Sequence, residues 1–133
     1  MSGPTSDGSR RCAAAVVIVD DDPGVRDSLT ALLEAYGFRV RTHGSGGALL
    51  ADRCRDRAGC LVIDHNMPGL DGLDTIDRLR GEGIAAPAIL ITGRLDPAVS
   101  VRASSLGLAA VLEKPFAAAQ LLRLVRENLD ARR

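Results

Sequence analysis

Four short apolar runs in this chain each end on, or just before, a side chain suited to phosphate or metal chemistry. AAAVVIV runs into Asp20-Asp21-Asp22, CLVI into Asp64, AILI into Thr92 and AVLE into Lys114. Runs this short, dominated by Val, Ile, Leu and Ala, predict parallel strands buried on both faces. In an open α/β sheet the carboxyl ends of the strands line one crevice, and ligands bind there. The carboxylates of Asp20, Asp21 and Asp64, the Thr92 hydroxyl and the Lys114 ammonium are therefore expected to meet at one edge. That set suits a metal-plus-phosphoryl site.

Helical signals separate the runs. Asp22 is placed to N-cap a helix that starts at Pro23, carries Val25, Leu29, Leu32 and Leu33 at helical spacing, and stops at Gly37. Phe38 and Val40 fit a short second strand, and Ala48, Leu49 and Leu50 a second helix running to about Arg57. After a third strand over 60–63, Pro68 and Gly69 set a tight turn. A third helix then carries Leu73, Ile76 and Leu79 and ends at Gly81 and Gly83. Strand four spans 88–91, and Asp96-Pro97 opens a fourth helix that Gly107 closes. Strand five spans about 109–113, and Leu121, Leu122, Val125 and Leu129 form the stripe of a last helix with a basic C-terminal end. Five alternations of strand and helix imply an α/β fold, a five-stranded parallel sheet with helices on both faces. The flavodoxin-like (βα)5 order 2-1-3-4-5 is the natural choice, with its switch point between strands one and three. That order places Asp20 and Asp21 beside Asp64. Residues 12–133 are expected to form one domain, preceded by a flexible Ser-, Gly- and Pro-rich segment over 1–11.

Composition removes several function classes. Lys plus Arg and Asp plus Glu number seventeen each, so no net charge draws the chain to nucleic acid or an anionic membrane. Tyr36, Phe38 and Phe116 are too few for a base-stacking platform. Cys12, Cys54 and Cys60 are odd in number and unpatterned, and are expected to be buried thiols of a reducing cytosol. Arg10-Arg11 before CAAAVVIV imitates a signal peptide only faintly, because the run stops at three aspartates without a cleavage site. No stretch reaches transmembrane length. A cytoplasmic location is expected.

The chain resembles a known family, the receiver domain of two-component response regulators, of the CheY-like superfamily. The resemblance covers about residues 14–130 and rests on IVDDDPGVRDSL at 18–29, VIDHNMPGLDG at 62–72, LITG at 90–93 and EKPF at 113–116. The stretch from Asp96 to Phe116 is most similar to FixJ-type receivers, which usually carry a DNA-binding output domain. The resemblance implies that Asp64 accepts a phosphoryl group from a sensor histidine kinase or a histidine phosphotransfer protein. It implies that Asp21 and Asp64 bind Mg²⁺ (or Mn²⁺) directly, with Asp20 close by and partly through water, and the backbone carbonyl of Asn66 completing the set. All-oxygen ligation with retained waters suits those ions and not zinc. Lys114 would pair with Asp64 at rest and with a phosphoryl oxygen afterward, through a Lys114-Pro115 bond that is commonly cis in the family. Thr92 matches the hydroxyl that swings toward the phosphoryl group, and Gly93 leaves its path open.

Three departures from the pattern stand out. Val111 occupies a position usually held by Tyr or Phe, so aromatic switching does not carry over. Arg94 is a long cation near the site mouth, and Leu108 replaces a small residue after Gly107. His43 and His65, on separate loops without ligand spacing, are expected to be bystanders, His65 as an exposed loop residue.

The resulting expectation is a phosphorylation-controlled switch that is not an enzyme beyond its own phosphorylation and dephosphorylation. With no effector domain following Arg133, its output would be protein–protein contact with a downstream target. A homodimer through helix four, strand five and helix five is a further expectation. Alternatives are the receiver part of a longer DNA-binding transcriptional regulator, and a phosphatase of the haloacid dehalogenase type. The latter needs an acid–base carboxylate two residues after the nucleophile, where this chain has Asn66. A pseudo-receiver is disfavoured by the complete acidic set.

Overall fold

The computed structural model describes residues 14–131. The expected lead-in over 1–11, Cys12 and the basic pair Arg132-Arg133 lie outside the described residues. The chain forms β1 (Ala15–Val19), α1 (Pro23–Ala35), β2 (Val40–His43), α2 (Gly46–Ala51), β3 (Ala58–Asp64), α3 (Gly72–Gly81), β4 (Ala88–Thr92), α4 (Pro97–Ser105), β5 (Ala110–Glu113) and α5 (Ala118–Ala131). The strands make one parallel sheet in the order β2-β1-β3-β4-β5, as the alternation of runs predicts.

The period-two geometry of a strand sends successive side chains to opposite faces, which is why the central runs are apolar throughout. Val17 and Val19 of β1, Leu61 and Ile63 of β3 and Leu90 of β4 face one core, with Leu49, Leu73, Ile76, Leu79 and Val99 from α2, α3 and α4. Val16 and Ile18, Cys60 and Val62, and Ile89 and Ile91 face the other, with Leu33 of α1 and Leu121 and Val125 of α5. Each fully buried Leu or Ile among these contributes about 1.5–3 kcal/mol by leaving water. The edge strands β2 and β5 are only partly buried, and their sequences are correspondingly mixed.

Helix starts follow local chemistry. Asp22 accepts hydrogen bonds from the N–H groups of Gly24 and Val25 ahead of Pro23, and Asp96 accepts from Val99 ahead of Pro97. Gly37, Gly83 and Gly107 close their helices at positive φ, where a Cβ is penalised.

Three expectations are corrected. The second helix does not reach Arg57: Asp52 is extended, its carboxylate accepts from Cys54 N–H at 2.9 Å, and its other oxygen lies 3.0 Å from His43 Nε2. Only a short 3₁₀ turn over Arg55–Arg57 follows. His43 is thus the last residue of a strand, tied to Asp52, and not a loop bystander. Burial alone would raise the Asp52 pKa, but the Cys54 N–H, the His43 bond and the Arg41 charge together hold it below the usual carboxylate value. Cys60 is a buried free thiol as expected, whereas Cys54 is disulfide-bonded. Among the described residues no helix is long and apolar enough to cross a membrane.

Candidate metal and phosphoryl site

Strand register places the chemistry. Val19 pairs with Ile63, so Asp20 and Asp64, one residue further on, stand level at the ends of β1 and β3. Asp64 pairs with Ile91, and Thr92 with Glu113, which brings the Lys114 backbone to the same edge. One carboxylate oxygen from each of Asp20, Asp21 and Asp64 lies within 4.8 Å of the others, with Asp20 and Asp64 buried and Asp21 exposed. Lys114 Nζ is 3.4 Å from Asp64 Oδ1. That oxygen is buried and accepts no hydrogen bond among the described residues. A buried carboxylate oxygen held only by a long ionic contact is short of a partner. The three carboxylates form an all-oxygen donor set, and Asp21 opens it to water, so the residues fit a hard dication that keeps part of its hydration shell. The Lys114-Pro115 bond is cis.

Asp20 is the most constrained of the three. Its Oδ1 accepts from Asp22 N–H at 2.9 Å, and it is 3% exposed. Burial is the main cause that raises its pKa above the usual carboxylate value, joined by the negative charges of Asp64 and Asp21 and opposed by the Asp22 N–H and Lys114. A carboxyl whose pKa rises on folding stabilises the fold only while protonated, and that contribution disappears as pH rises through the folded-state pKa. In chelator, Asp20→Asn is therefore expected to be more stable than the parent at pH 7, because asparagine keeps the oxygen acceptor and loses the charge. The gap should narrow as pH falls toward 4. Urea denaturation at several pH values checks this, and an equal or lower midpoint for Asp20→Asn at pH 7 would contradict it.

Thr92 is fully buried, and its hydroxyl is occupied. It donates to the Arg94 carbonyl at 3.0 Å and accepts from the Arg94 N–H at 3.2 Å. The Arg94 residue itself is exposed. Two further contacts hold this loop and had no assigned role in the sequence. The Asn66 side-chain oxygen accepts from Gly93 N–H at 3.2 Å, and Glu113 Oε2 accepts from Leu95 N–H at 3.1 Å. Asn66 thus engages the loop through its amide, in addition to the expectation placed on its backbone carbonyl. A Cβ on Gly93 would meet only Asn66 Oδ1 at 3.9 Å, so the resting fold does not itself demand glycine there. Val111 is partly buried against the core beside Leu90.

Gly72 was missed as a site residue. It opens α3, and a Cβ there would sit 2.8 Å from the Asp64 carbonyl oxygen, 2.8 Å from Leu90 Cδ1 and 2.9 Å from His65 Cα. Only glycine lets the helix start this close behind Asp64. The available signal was a glycine at a position where helix formers are preferred. His65 is also corrected: it is half-buried, with a shielded Nδ1 lying 3.9 Å from Asp71 Oδ1.

The family profile described as the response regulator receiver domain matches residues 16–126. The transcriptional regulatory protein FixJ of Azorhizobium caulinodans is 40% identical over 114 residues, which are 86% of this chain and 54% of that protein. The C4-dicarboxylate transport transcriptional regulatory protein DctD of Pseudomonas aeruginosa is 38% identical over 118 residues, 89% of this chain and 26% of that protein. The crystal structure of FixJ-N superposes with a TM-score of 0.78 at 32% identity, covering 89% of this chain and 94% of that one. The chain therefore spans about half the length of FixJ and about a quarter of DctD.

Proposed function

The chain belongs to the response regulator receiver domain family, and from that membership we propose that it takes a phosphoryl group onto Asp64 and answers by changing its protein contacts. The observation that carries this reading is the buried Asp64 Oδ1, without a hydrogen bond among the described residues, between two further carboxylates and the Lys114 ammonium. The donor is a phosphohistidine on a sensor kinase or phosphotransfer protein. Its N–P bond breaks as an O–P bond forms to Asp64, and the imidazole departs as the leaving group. Asp20, Asp21, Asp64 and the Asn66 carbonyl would hold Mg²⁺, which would supply the charge neutralisation that in-line transfer onto a weak carboxylate nucleophile requires. Lys114 moves its ionic contact from the carboxylate to a phosphoryl oxygen.

Asn66 stands where a haloacid dehalogenase-type phosphatase needs its acid–base carboxylate. The acyl phosphate therefore lasts as a signal, and the chain acts as a switch and not as a turnover enzyme. Residues 12–133 are read as this receiver unit, working in the cytoplasm. The partial coverage of FixJ and DctD supports a second reading, in which this is the receiver portion of a longer regulator of transcription.

Acetyl phosphate with Mg²⁺ tests the proposal: mass spectrometry should show one added phosphate, suppressed by chelator. A chain that stays unlabelled under these conditions, while binding Mg²⁺, would refute phosphoryl acceptance.

The switch should run through Thr92. To reach a phosphoryl oxygen its hydroxyl must release Arg94, and the loop over 93–95 must let go of Asn66 and Glu113. New charge-assisted bonds exist only in the phosphorylated state, and that difference biases the two arrangements. Helix α4, strand β5 and helix α5, reaching a downstream partner or a second copy, form the responding face. Beryllofluoride should shift amide resonances across residues 93–130 in the parent protein and much less in Thr92→Ala. Equal shifts in both would sink this route.

A further inference from the structure

Arg26 lies in the first turn of α1, and its side chain turns back to the acidic cluster. Its Nη1 donates to the backbone carbonyl of Asp20 at 2.7 Å. That carbonyl belongs to the peptide joining Asp20 to Asp21, so its orientation sets how the two carboxylates project relative to each other. The same short segment is held at two other points. Asp20 N–H donates to the His43 carbonyl at 3.1 Å, and the Asp20 carboxylate accepts from Asp22 N–H at 2.9 Å. Among the described residues, Arg26 is what holds the carbonyl side of that peptide; without it the plane would be restrained only through Asp20 N–H and the turn that Asp22 N–H closes on the Asp20 carboxylate.

The space for this contact comes from the β2–α2 turn. A Cβ on Gly44 would lie 3.2 Å from Arg26 Nη1 and 3.7 Å from its Cζ. The guanidinium is therefore seated between the Asp20 carbonyl and a turn whose glycine leaves it room. A planar guanidinium donates in a fixed direction, which suits it to hold a peptide plane. The Arg26 backbone N–H is meanwhile bonded to the Asp22 carbonyl at 3.0 Å, so the first turn of α1 fixes the base of the lever.

We propose that Arg26 is a positioning residue for the divalent-cation site: by clamping the Asp20–Asp21 peptide it presets the two carboxylates to meet Asp64. The inference rests on the reading of this edge as a metal-dependent phosphoryl site. It touches neither metal nor phosphoryl group and acts through the backbone. Groups that orient metal ligands are typically worth an order of magnitude or more in affinity.

The sign of the effect separates positioning from charge. A guanidinium near the cluster repels a dication, so loss of its charge alone would tighten Mg²⁺ binding. Loss of positioning weakens it. Mg²⁺ titrations followed by amide shifts of residues 20, 21 and 64 should give a dissociation constant about tenfold higher for Arg26→Met, with Arg26→Lys recovering part of the loss. Gly44→Ala, which crowds the guanidinium without touching the acids, should weaken binding in the same direction by a smaller factor. Leu32→Ala, a destabilising change elsewhere on α1, should keep the parent affinity. Binding by Arg26→Met as tight as the parent's, or tighter, would overturn the proposal, as would an equal loss in Leu32→Ala. A parent protein that binds no Mg²⁺ at these residues would instead refute the underlying reading of the site.

Discussion

Asp64→Asn is expected to abolish labelling by acetyl phosphate completely, while leaving the fold intact. Asparagine is nearly isosteric with aspartate, and among the described residues the Asp64 side chain makes no hydrogen bond through Oδ1 that the change would break. Its cost to packing is therefore small. The chemistry has no substitute. An amide is not a nucleophile toward phosphorus at neutral pH, and removing one of three clustered charges also weakens the hold on Mg²⁺. Among the described residues, Asp20 and Asp21 are the other two carboxylates of the cluster. Asp20 is buried with one oxygen bonded to Asp22 N–H, and Asp21 lacks the Lys114 contact that Asp64 has. Neither is placed to take over. Intact-mass measurement after incubation with acetyl phosphate and Mg²⁺ checks this directly. Full labelling of Asp64→Asn at another residue would show that the acceptor has been misassigned.

Gly72→Ala should be the most damaging one-methyl change near the site. Two of the three atoms a Cβ would strike are backbone, the Asp64 carbonyl oxygen and His65 Cα, both closer than 3.0 Å. Backbone in the last residue of a central strand cannot move aside without disturbing the ladder to β4, where His65 N–H donates to the Ile91 carbonyl at 2.8 Å. Overpacking of this kind costs about 1–3 kcal/mol, and because only Leu90 Cδ1 of the three atoms can give way, Gly72 lies at the upper end, about 3 kcal/mol. Gly81 closes the same helix with nothing within 4 Å of its would-be Cβ, and Gly81→Ala should be neutral or gain a few tenths of a kcal/mol. Urea denaturation of both variants makes the comparison on one helix. Similar midpoints would show that α3 can slide away from β3, and that close packing behind Asp64 is not required.

The identity of the fold and the placement of the main chemistry were legible in the residues themselves. A doubly buried strand must be apolar throughout, so β1, β3 and β4 announce themselves, and the polar residue that ends each run marks the crevice. Helix starts at Asp22-Pro23 and Asp96-Pro97, and stops at Gly37, Gly83 and Gly107, follow from backbone hydrogen bonding and φ within a few residues. Order 2-1-3-4-5 then brings Asp20, Asp21 and Asp64 together without any tertiary knowledge.

What only the tertiary structure decided are contacts between residues far apart in the chain, where a few tenths of an ångström choose the partner. The second helix stops at Ala51 because Asp52 is captured by His43 across the turn, a pairing that helix periodicity does not encode. Asn66 and Glu113 latch the loop after Thr92 from two different strand ends. Arg26 reads in sequence as one more surface cation on α1, and becomes a clamp only because the β2–α2 turn offers Gly44 beside it. Gly72 reads as a weak helix former until β3 is laid against it. Local propensity selects elements and their ends, whereas polar partners and close approaches depend on how those elements dock, and docking is set by the whole core at once.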